Sequence, residues 1–207
     1  MKGYFIVFEG PDGSGKSSVS QVVYKKLLDE GYPVILTREP GGIKISENIR
    51  DIILNPSNTK MDGRTEALLY AASRRQHLVE KVIPALNQGK IVLCDRFVDS
   101  SLAYQSYGRG LDLNKVKDIN QFAIEDTYPD FTIFLDVPAQ VGMDRIKDRN
   151  FKDRLDQENI DFHEQVFAGY QEILKSNDGQ YHIIDASSSL EEVINQSLNI
   201  IKGNIDG

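Results

Sequence analysis

Residues 4–17 read Tyr4-Phe5-Ile6-Val7-Phe8-Glu9-Gly10-Pro11-Asp12-Gly13-Ser14-Gly15-Lys16-Ser17, and this stretch decides the fold. Residues 4–8 form a nearly continuous apolar run, the pattern of a short strand buried on both faces. Residues 10–17 fit G-x-x-x-x-G-K-[ST], a pattern whose glycines let the backbone turn successive N–H groups inward around a phosphate. A helical pattern opens near Lys16, runs through Leu28 and stops at Gly31. The positive end of that helix would face the same phosphate. Strand, glycine loop and helix in this order are the context the motif requires. Lys16 has the reach for β- and γ-phosphates, and Ser17 offers its hydroxyl to Mg2+. The loop therefore predicts a nucleoside triphosphate site.

Working outward, strand-like runs recur at residues 33–37, 90–94, 131–135 and 181–184. Helical patterns occupy 43–54, 64–87, 99–107, 114–124, 162–174 and 190–201, with Pro84 bending or shortening the longest. Residues 139–157 read as a helix running into a loop. Five short buried strands alternating with helices imply a parallel sheet covered on both faces. The expected fold is α/β: a three-layer P-loop NTPase fold with a five-stranded parallel sheet. The chain shows no repeat, low-complexity tract or linker, so its 207 residues are expected to form one domain, 1–207.

Hydrophobic residues make up 40% of the chain, enough for a substantial core, and the formal net charge is −7. That balance argues against nucleic-acid polymers as partners, because they require a basic footprint. It is silent about small anions, which read local charge. The longest apolar run, residues 67–72, is far short of the ~20 residues that span a bilayer. Met1-Lys2-Gly3-Tyr4 leads into the first strand without a cleavage signature. Cys94 is the single cysteine and cannot form an internal disulfide. A cytoplasmic location, with no membrane association, is expected.

The triphosphate site alone does not define the reaction. A GTPase switch would carry D-x-x-G downstream of the loop and N-K-x-D for guanine. Neither is present, since Asn114-Lys115-Val116-Lys117 lacks the Asp. Motor and AAA-type ATPases need a longer chain. A small phosphotransferase remains, and an acceptor that is itself a phosphate calls for cations near the loop. Lys16, Arg38 and Arg96 follow the first, second and third strands, at the carboxyl edge where open α/β sheets bind ligands.

Phe8-Glu9-Gly10, Arg38-Glu39-Pro40-Gly41-Gly42, Leu69-Tyr70-Ala71-Ala72-Ser73-Arg74, Asp95-Arg96-Phe97-Val98-Asp99-Ser100-Ser101 and Ala103-Tyr104-Gln105 together resemble the bacterial thymidylate kinases. The resemblance runs in register from residue 4 to about residue 186. It implies a nucleoside-monophosphate-kinase type of P-loop fold, transfer of the ATP γ-phosphoryl group to dTMP, a Mg2+ requirement and a homodimer. By the same resemblance Arg38 and Arg96 clamp the acceptor phosphate, a task suited to planar guanidinium groups. Asp12 lies near the sugar 3′-hydroxyl, Glu39 and Arg50 border the acceptor, and Asp95 acts on Mg2+ through water. Cys94 belongs to the core.

Tyr70 and Arg74 stand at i and i+4 on one helix face, an aromatic ring beside a guanidinium that suits a base and its O4. Family members most often carry Phe at the position of Tyr70. Ser101, Tyr104 and Gln105 fall at i, i+3 and i+4. The resemblance gives Ser101 and Gln105 the thymine edge, and gives Tyr104 the space a ribose 2′-hydroxyl would fill.

Residues 144–157 hold Arg145, Lys147, Arg149, Lys152 and Arg154 among Asp144, Asp148, Asp153 and Asp156, and by position resemble a closing lid that excludes water. Some thymidylate kinases carry the transition-state arginine in the phosphate loop, where this chain has Gly13; others carry it in the lid. That leaves Arg149 or Arg154. Lys16, Arg38, Arg74, Arg96 and the lid arginines are expected to make one positive pocket. A different deoxynucleotide acceptor, or a nucleotide-binding regulator without turnover, are the competing readings.

Overall fold

The computed structural model describes residues 3–147, 153–175 and 179–206. In chain order the elements are β1 (Tyr4–Glu9), α1 (Lys16–Asp29), β2 (Val34–Arg38), α2 (Lys44–Leu54), α3 (Gly63–His77), α4 (Ile83–Asn87) and β3 (Ile91–Asp95). These are followed by α5 (Val98–Ser101), α6 (Leu113–Ile124), β4 (Phe131–Asp136), α7 (Ala139–Lys147), α8 (Ile160–Lys175), β5 (Tyr181–Asp185) and α9 (Leu190–Ile205). All five strands are parallel, in the order β2-β3-β1-β4-β5.

Alternation along each strand sorts the core. Ile6, Phe8, Leu93 and Ile133 pack toward α1 and α9 with Val19, Val23 and Leu198. Phe5, Val7, Val92 and Cys94 pack the opposite way against Leu78, Val82 and Ala85. The three inner strands, β1, β3 and β4, are therefore dry on both faces, which is why they read as nearly unbroken apolar runs. Phe8 and Arg38 both pair with Asp95 in register, so the order alone brings the ends of β1, β2 and β3 side by side. The chain leaves the sheet there into the loops that hold the polar residues.

Two expected helices are interrupted. The pattern over 64–87 resolves into α3, a π-helical turn at Leu78–Val82, and α4 with Pro84 in its first turn. Pro84 has no N–H and its ring crowds the carbonyl four residues back, so the wider turn removes the conflict. The pattern over 99–107 resolves into α5 and a second π-helical segment, Leu102–Gly108. There the Arg109 N–H reaches back five residues to the Tyr104 carbonyl. The expected lid is divided: Asp144 to Lys147 belong to α7, 153–157 lie in turns, and Asp148, Arg149 and Lys152 fall outside the described residues.

Candidate active site

The loop after β1 takes its shape from backbone. Gly10, Gly13 and Gly15 have φ of 141°, 76° and 89°, values that side chains disfavour. Gly13 also abuts α7: a Cβ there would lie 2.0 Å from the Gly142 carbonyl oxygen, and one on Gly142 would lie 2.2 Å from the Asp12 oxygen. Arg145 of α7 donates to the Gly13 and Ala186 carbonyls. α1 begins at Lys16 with no side-chain cap and no acidic residue in its first turn, leaving its positive end directed at the loop.

Lys16 Nζ donates to the Gly10 and Pro11 carbonyls at 2.9 and 2.7 Å and to Ser14 Oγ at 3.2 Å. Burial, with Arg96 nearby, brings its pKa down to about 8. The Ser17 hydroxyl donates to Asp95 Oδ2 at 2.5 Å. Asp95 Oδ1 is buried and has no hydrogen-bond partner among the described residues. An orphaned carboxylate oxygen beside a hydroxyl at the phosphate loop is a donor set that fits Mg2+.

Arg96 follows β3 with φ of 71°, a left-handed conformation costing a non-glycine residue roughly 1–2 kcal/mol. The turn directs its guanidinium into the cleft, where it donates to Asp12 Oδ1 at 2.5 Å, Tyr104 Oη at 3.2 Å and Ser100 Oγ at 3.0 Å. The guanidinium carbon sits 5.1 Å from the centre of the Tyr104 ring. Tyr104 donates in turn to Asp12 Oδ2 at 2.6 Å. Burial raises the Asp12 carboxyl, but Arg96, Lys16 and the Tyr104 hydroxyl outweigh it and hold its pKa at about 2. Asp12 is therefore an ionised acceptor throughout the neutral range.

These groups line one cleft that also takes in Arg38, Glu39, Arg50, Tyr70, Ser101 and Gln105. Arg38 is half-exposed and donates to Glu47 at 2.9 Å. Arg50 donates to the Pro40 carbonyl at 2.9 Å. Arg74 lies behind the lining, 2% exposed. It donates to Glu39 at 2.6 Å, Ser101 Oγ at 3.1 Å, the Phe97 carbonyl at 2.8 Å and Asn120. Glu39 thus stands between Arg74 and His77, whose Nδ1 is 3.0 Å away. Burial raises the Glu39 carboxyl, yet Arg74 and His77 hold it below its ordinary value.

The lining bears on two expectations. The cleft is not a net positive pocket: Lys16, Arg38, Arg50 and Arg96 face Asp12, Glu39, Asp95, Asp153 and Asp156 among the described lining residues. Among the described residues the lining offers an anion directed donors rather than an excess of positive charge. Arg154 does not line the cleft. Its Nε donates to the Ile53 carbonyl at 2.8 Å and its terminal nitrogen to Glu66 at 2.5 Å, so the guanidinium is held by α2 and α3. Arg149 lies outside the described residues.

Sequence reasoning assigned no role to several residues that hold these groups. Glu9 accepts from the Phe97 and Ser100 N–H groups and from the Ser100 and Tyr170 hydroxyls. Glu66 accepts from Gln105, Arg109 and Arg154. Glu66, Tyr70 and Arg74 fall at i, i+4 and i+8 on α3, a spacing that could have marked Glu66. Nothing in the sequence marks Tyr170. A second cavity beside the loop, lined by Gly15, Ser18, Arg145, Ile146, Ser188 and Leu190 among others, was likewise unforeseen.

A family model described as "Thymidylate kinase" matches residues 8–197. A protein of Bacillus licheniformis called thymidylate kinase is 54% identical over 204 residues, 98% of this chain and 96% of that one. A thymidylate kinase of Staphylococcus haemolyticus is 53% identical over 198 residues, with 95% and 96% covered. The crystal structure of thymidylate kinase from Ehrlichia chaffeensis matches with a TM-score of 0.79 and 34% identity, covering 97% of this chain and 100% of that one.

Proposed function

The chain belongs to the thymidylate kinase family and is an enzyme that phosphorylates dTMP with ATP as donor, and from that premise we propose how its residues divide the work. The observation that carries the reading is the meeting of Lys16, Ser17 and Asp95 with the Arg96–Asp12–Tyr104 cluster in one cleft. The first group suits a triphosphate and the second suits a nucleotide acceptor.

The N–H groups of residues 12–17 and Lys16 hold the β- and γ-phosphates of ATP, and the adenine lies toward the second cavity beside Arg145 and Ser188. Ser17 and Asp95 would hold Mg2+, which when bound neutralises charge on the phosphate oxygens. Arg96 and Arg38 grip the dTMP phosphate. Arg50 and Glu39 border it, and Asp12, fixed as an anion, accepts from the sugar 3′-hydroxyl. Tyr70 stacks on the base. Ser101 and Gln105 meet its edge with Arg74 behind them, and Tyr104 occupies the space a 2′-hydroxyl would need.

An oxygen of the dTMP phosphate attacks the γ-phosphorus as the bond to the β,γ-bridging oxygen breaks, giving dTDP and ADP. The acceptor oxygen is already anionic near neutrality, so no general base is required. Closure of the lid excludes water as a competing acceptor. Arg149 is the lid cation proposed for the transition state, because the Arg154 guanidinium is engaged by Glu66 and the Ile53 carbonyl.

No helix among the described residues is long and apolar enough to cross a membrane, and a cytoplasmic enzyme acting on small molecules is the reading that fits. A homodimer is proposed through α2, α3 and α6. These helices pack side by side and leave Ile45, Ile52, Leu68 and Phe122 exposed, Phe122 at 86%.

The test is ADP release across a panel of nucleoside monophosphates, with wild-type enzyme and Arg96→Ala. Turnover should be fastest with dTMP and be abolished in the variant while ATP still binds. Near-wild-type turnover by Arg96→Ala would sink the clamp assignment.

A further inference from the structure

Glu66 is fully buried, has no place in the phosphoryl transfer itself, and yet holds three side chains from beyond its own helix. Its Oε1 accepts from Gln105 Nε2 at 2.9 Å. Its Oε2 accepts from Arg154 at 2.5 Å, and Arg109 Nε lies 3.3 Å from both oxygens. Arg109 is itself held by Glu158 at 2.6 Å and lies over the Phe162 ring at 4.6 Å. Arg154 is held by the Ile53 carbonyl. The carboxylate is thus fixed by two anchored guanidinium groups and turns one oxygen to Gln105.

We propose that Glu66 is a positioning residue that sets the base specificity of the cleft by locking the side-chain amide of Gln105. The proposal rests on the reading that Gln105 meets the base edge. An amide has a donor end and an acceptor end of nearly equal shape. Unrestrained, it can turn either end to a pyrimidine, and a single glutamine would then serve thymine and cytosine alike. A carboxylate paired with two guanidinium groups can only accept. Against it Gln105 must place nitrogen, because reversal would set carbonyl oxygen against carboxylate oxygen in a buried site. The carbonyl oxygen of Gln105 is then the end left for the cleft, which Gln105 lines.

An acceptor fixed at that place takes the N3–H of thymine. It opposes the N3 lone pair of cytosine, and a mismatch of this kind leaves two buried acceptors unpaired. Discrimination then comes from a polar group that the wrong base cannot satisfy.

The experiment measures kcat/KM for dTMP and for dCMP, and the KM for ATP, in wild type, Glu66→Gln, Gln105→Ala and the double variant. Glutamine at 66 keeps the shape but can donate, so it releases the lock. Glu66→Gln should lower the dTMP-to-dCMP ratio at least ~10-fold, leaving the KM for ATP within about twofold. In the Gln105→Ala background the same substitution should change the ratio less than about twofold, as residues acting through one another do. If Glu66→Gln leaves the ratio unchanged while Gln105→Ala lowers it, the lock is overturned and the base contact stands. If Gln105→Ala leaves the ratio unchanged, the base contact fails and the lock fails with it. Should Glu66→Gln not fold, the wild-type enzyme still decides. The side-chain amide of Gln105, assigned by its loss from the NMR spectrum of Gln105→Ala, should exchange with solvent much more slowly than exposed glutamines. Exchange at the rate of a free amide would overturn the proposal.

Discussion

On the phosphate side of the cleft, shape resides in the main chain. Glycines at positive φ turn the loop, α1 points its N-terminus into it, and Gly13 and Gly142 let α7 close against it. On the acceptor side, shape resides in buried side chains. Arg74 ties Glu39, Ser101 and Asn120 together, and Glu66 does the same for Gln105, Arg109 and Arg154. The difference predicts how each side fails. A main-chain site loses chemistry when a functional side chain is removed, and keeps its form. A side-chain network loses form and chemistry together, because each buried charge left behind lacks its partner.

The strongest break of that comparison is Lys16→Ala. It should lower kcat by ~10³-fold or more, since the ammonium neutralises charge on the transferring group. Its thermal midpoint should stay within a few degrees of wild type, because removing a desolvated ammonium leaves two carbonyls and the Ser14 hydroxyl at the mouth of the loop, while Asp12 keeps Arg96. A large loss of stability in calorimetry would show that the loop depends on its lysine for shape.

Arg74→Ala should behave in the opposite way. It takes from buried Glu39 its guanidinium partner, leaving His77, and from Asn120 its donor, at a cost of roughly 3–5 kcal/mol for a broken buried pair. For a chain of this length that lowers the midpoint by roughly 10 °C. The KM for dTMP should rise at least ~10-fold, with that for ATP nearly unchanged. Equal changes in both constants would show that the two sides of the cleft are not separately built.

Gly142→Ala tests the main-chain side from outside the loop. A methyl group there meets the Asp12 carbonyl oxygen at 2.2 Å, so α7 or the loop must shift. The expected effect is a rise of roughly tenfold in the KM for ATP, as misplaced phosphate donors cost binding. Steady-state kinetics with unchanged values would place the close approach outside the working geometry.

The same contrast explains what could be read in advance. The phosphate loop is contiguous, and its strand–loop–helix context lies in the same fourteen residues, so its geometry was legible at once. Arg38, Asp95 and Arg96 were legible because parallel strands bring their carboxyl ends to one edge. His77 and Asn120 were not, and Glu66 was marked only by its spacing from Tyr70 and Arg74, since one polar residue on a helix becomes a strut only when its helix is packed. The contacts of Arg154 were not legible for a related reason: the lid pattern gives its charge but not the buried Glu66 that pairs with it. The pocket charge was misjudged because the cations were counted without the carboxylates that loops and turns bring to face them. Pro84 signalled that the long helix would bend or shorten, though not that a π turn would do it, while Leu102–Gly108 carries no comparable marker.

The smallest predicted effect separates binding from folding at a single atom. The Lys16 ammonium has a pKa of about 8, brought down by burial first and the Arg96 charge second, against 10.5 for an ordinary lysine. The charged form is the one that holds phosphate. In the free enzyme it disappears as pH rises through 8, so kcat/KM for ATP should be about half its maximum at pH 8 and fall roughly tenfold per unit above that. Bound triphosphate favours the ammonium, so ATP binding near pH 8 should take up a proton, measurable by calorimetry in buffers of different ionisation enthalpy. Folding has the reverse sign. Between pH 8 and the ordinary lysine value the unfolded chain binds the extra proton, so this residue's contribution to stability rises with pH. Comparing wild type with Lys16→Met over pH 8–9.5 isolates it: the stability of the wild type should gain on the variant as its affinity for ATP declines. A kcat/KM that stays flat to pH 9.5 would mean the ammonium is not held in a dry loop beside Arg96, and the main-chain account of that side of the cleft would lose its electrostatic basis.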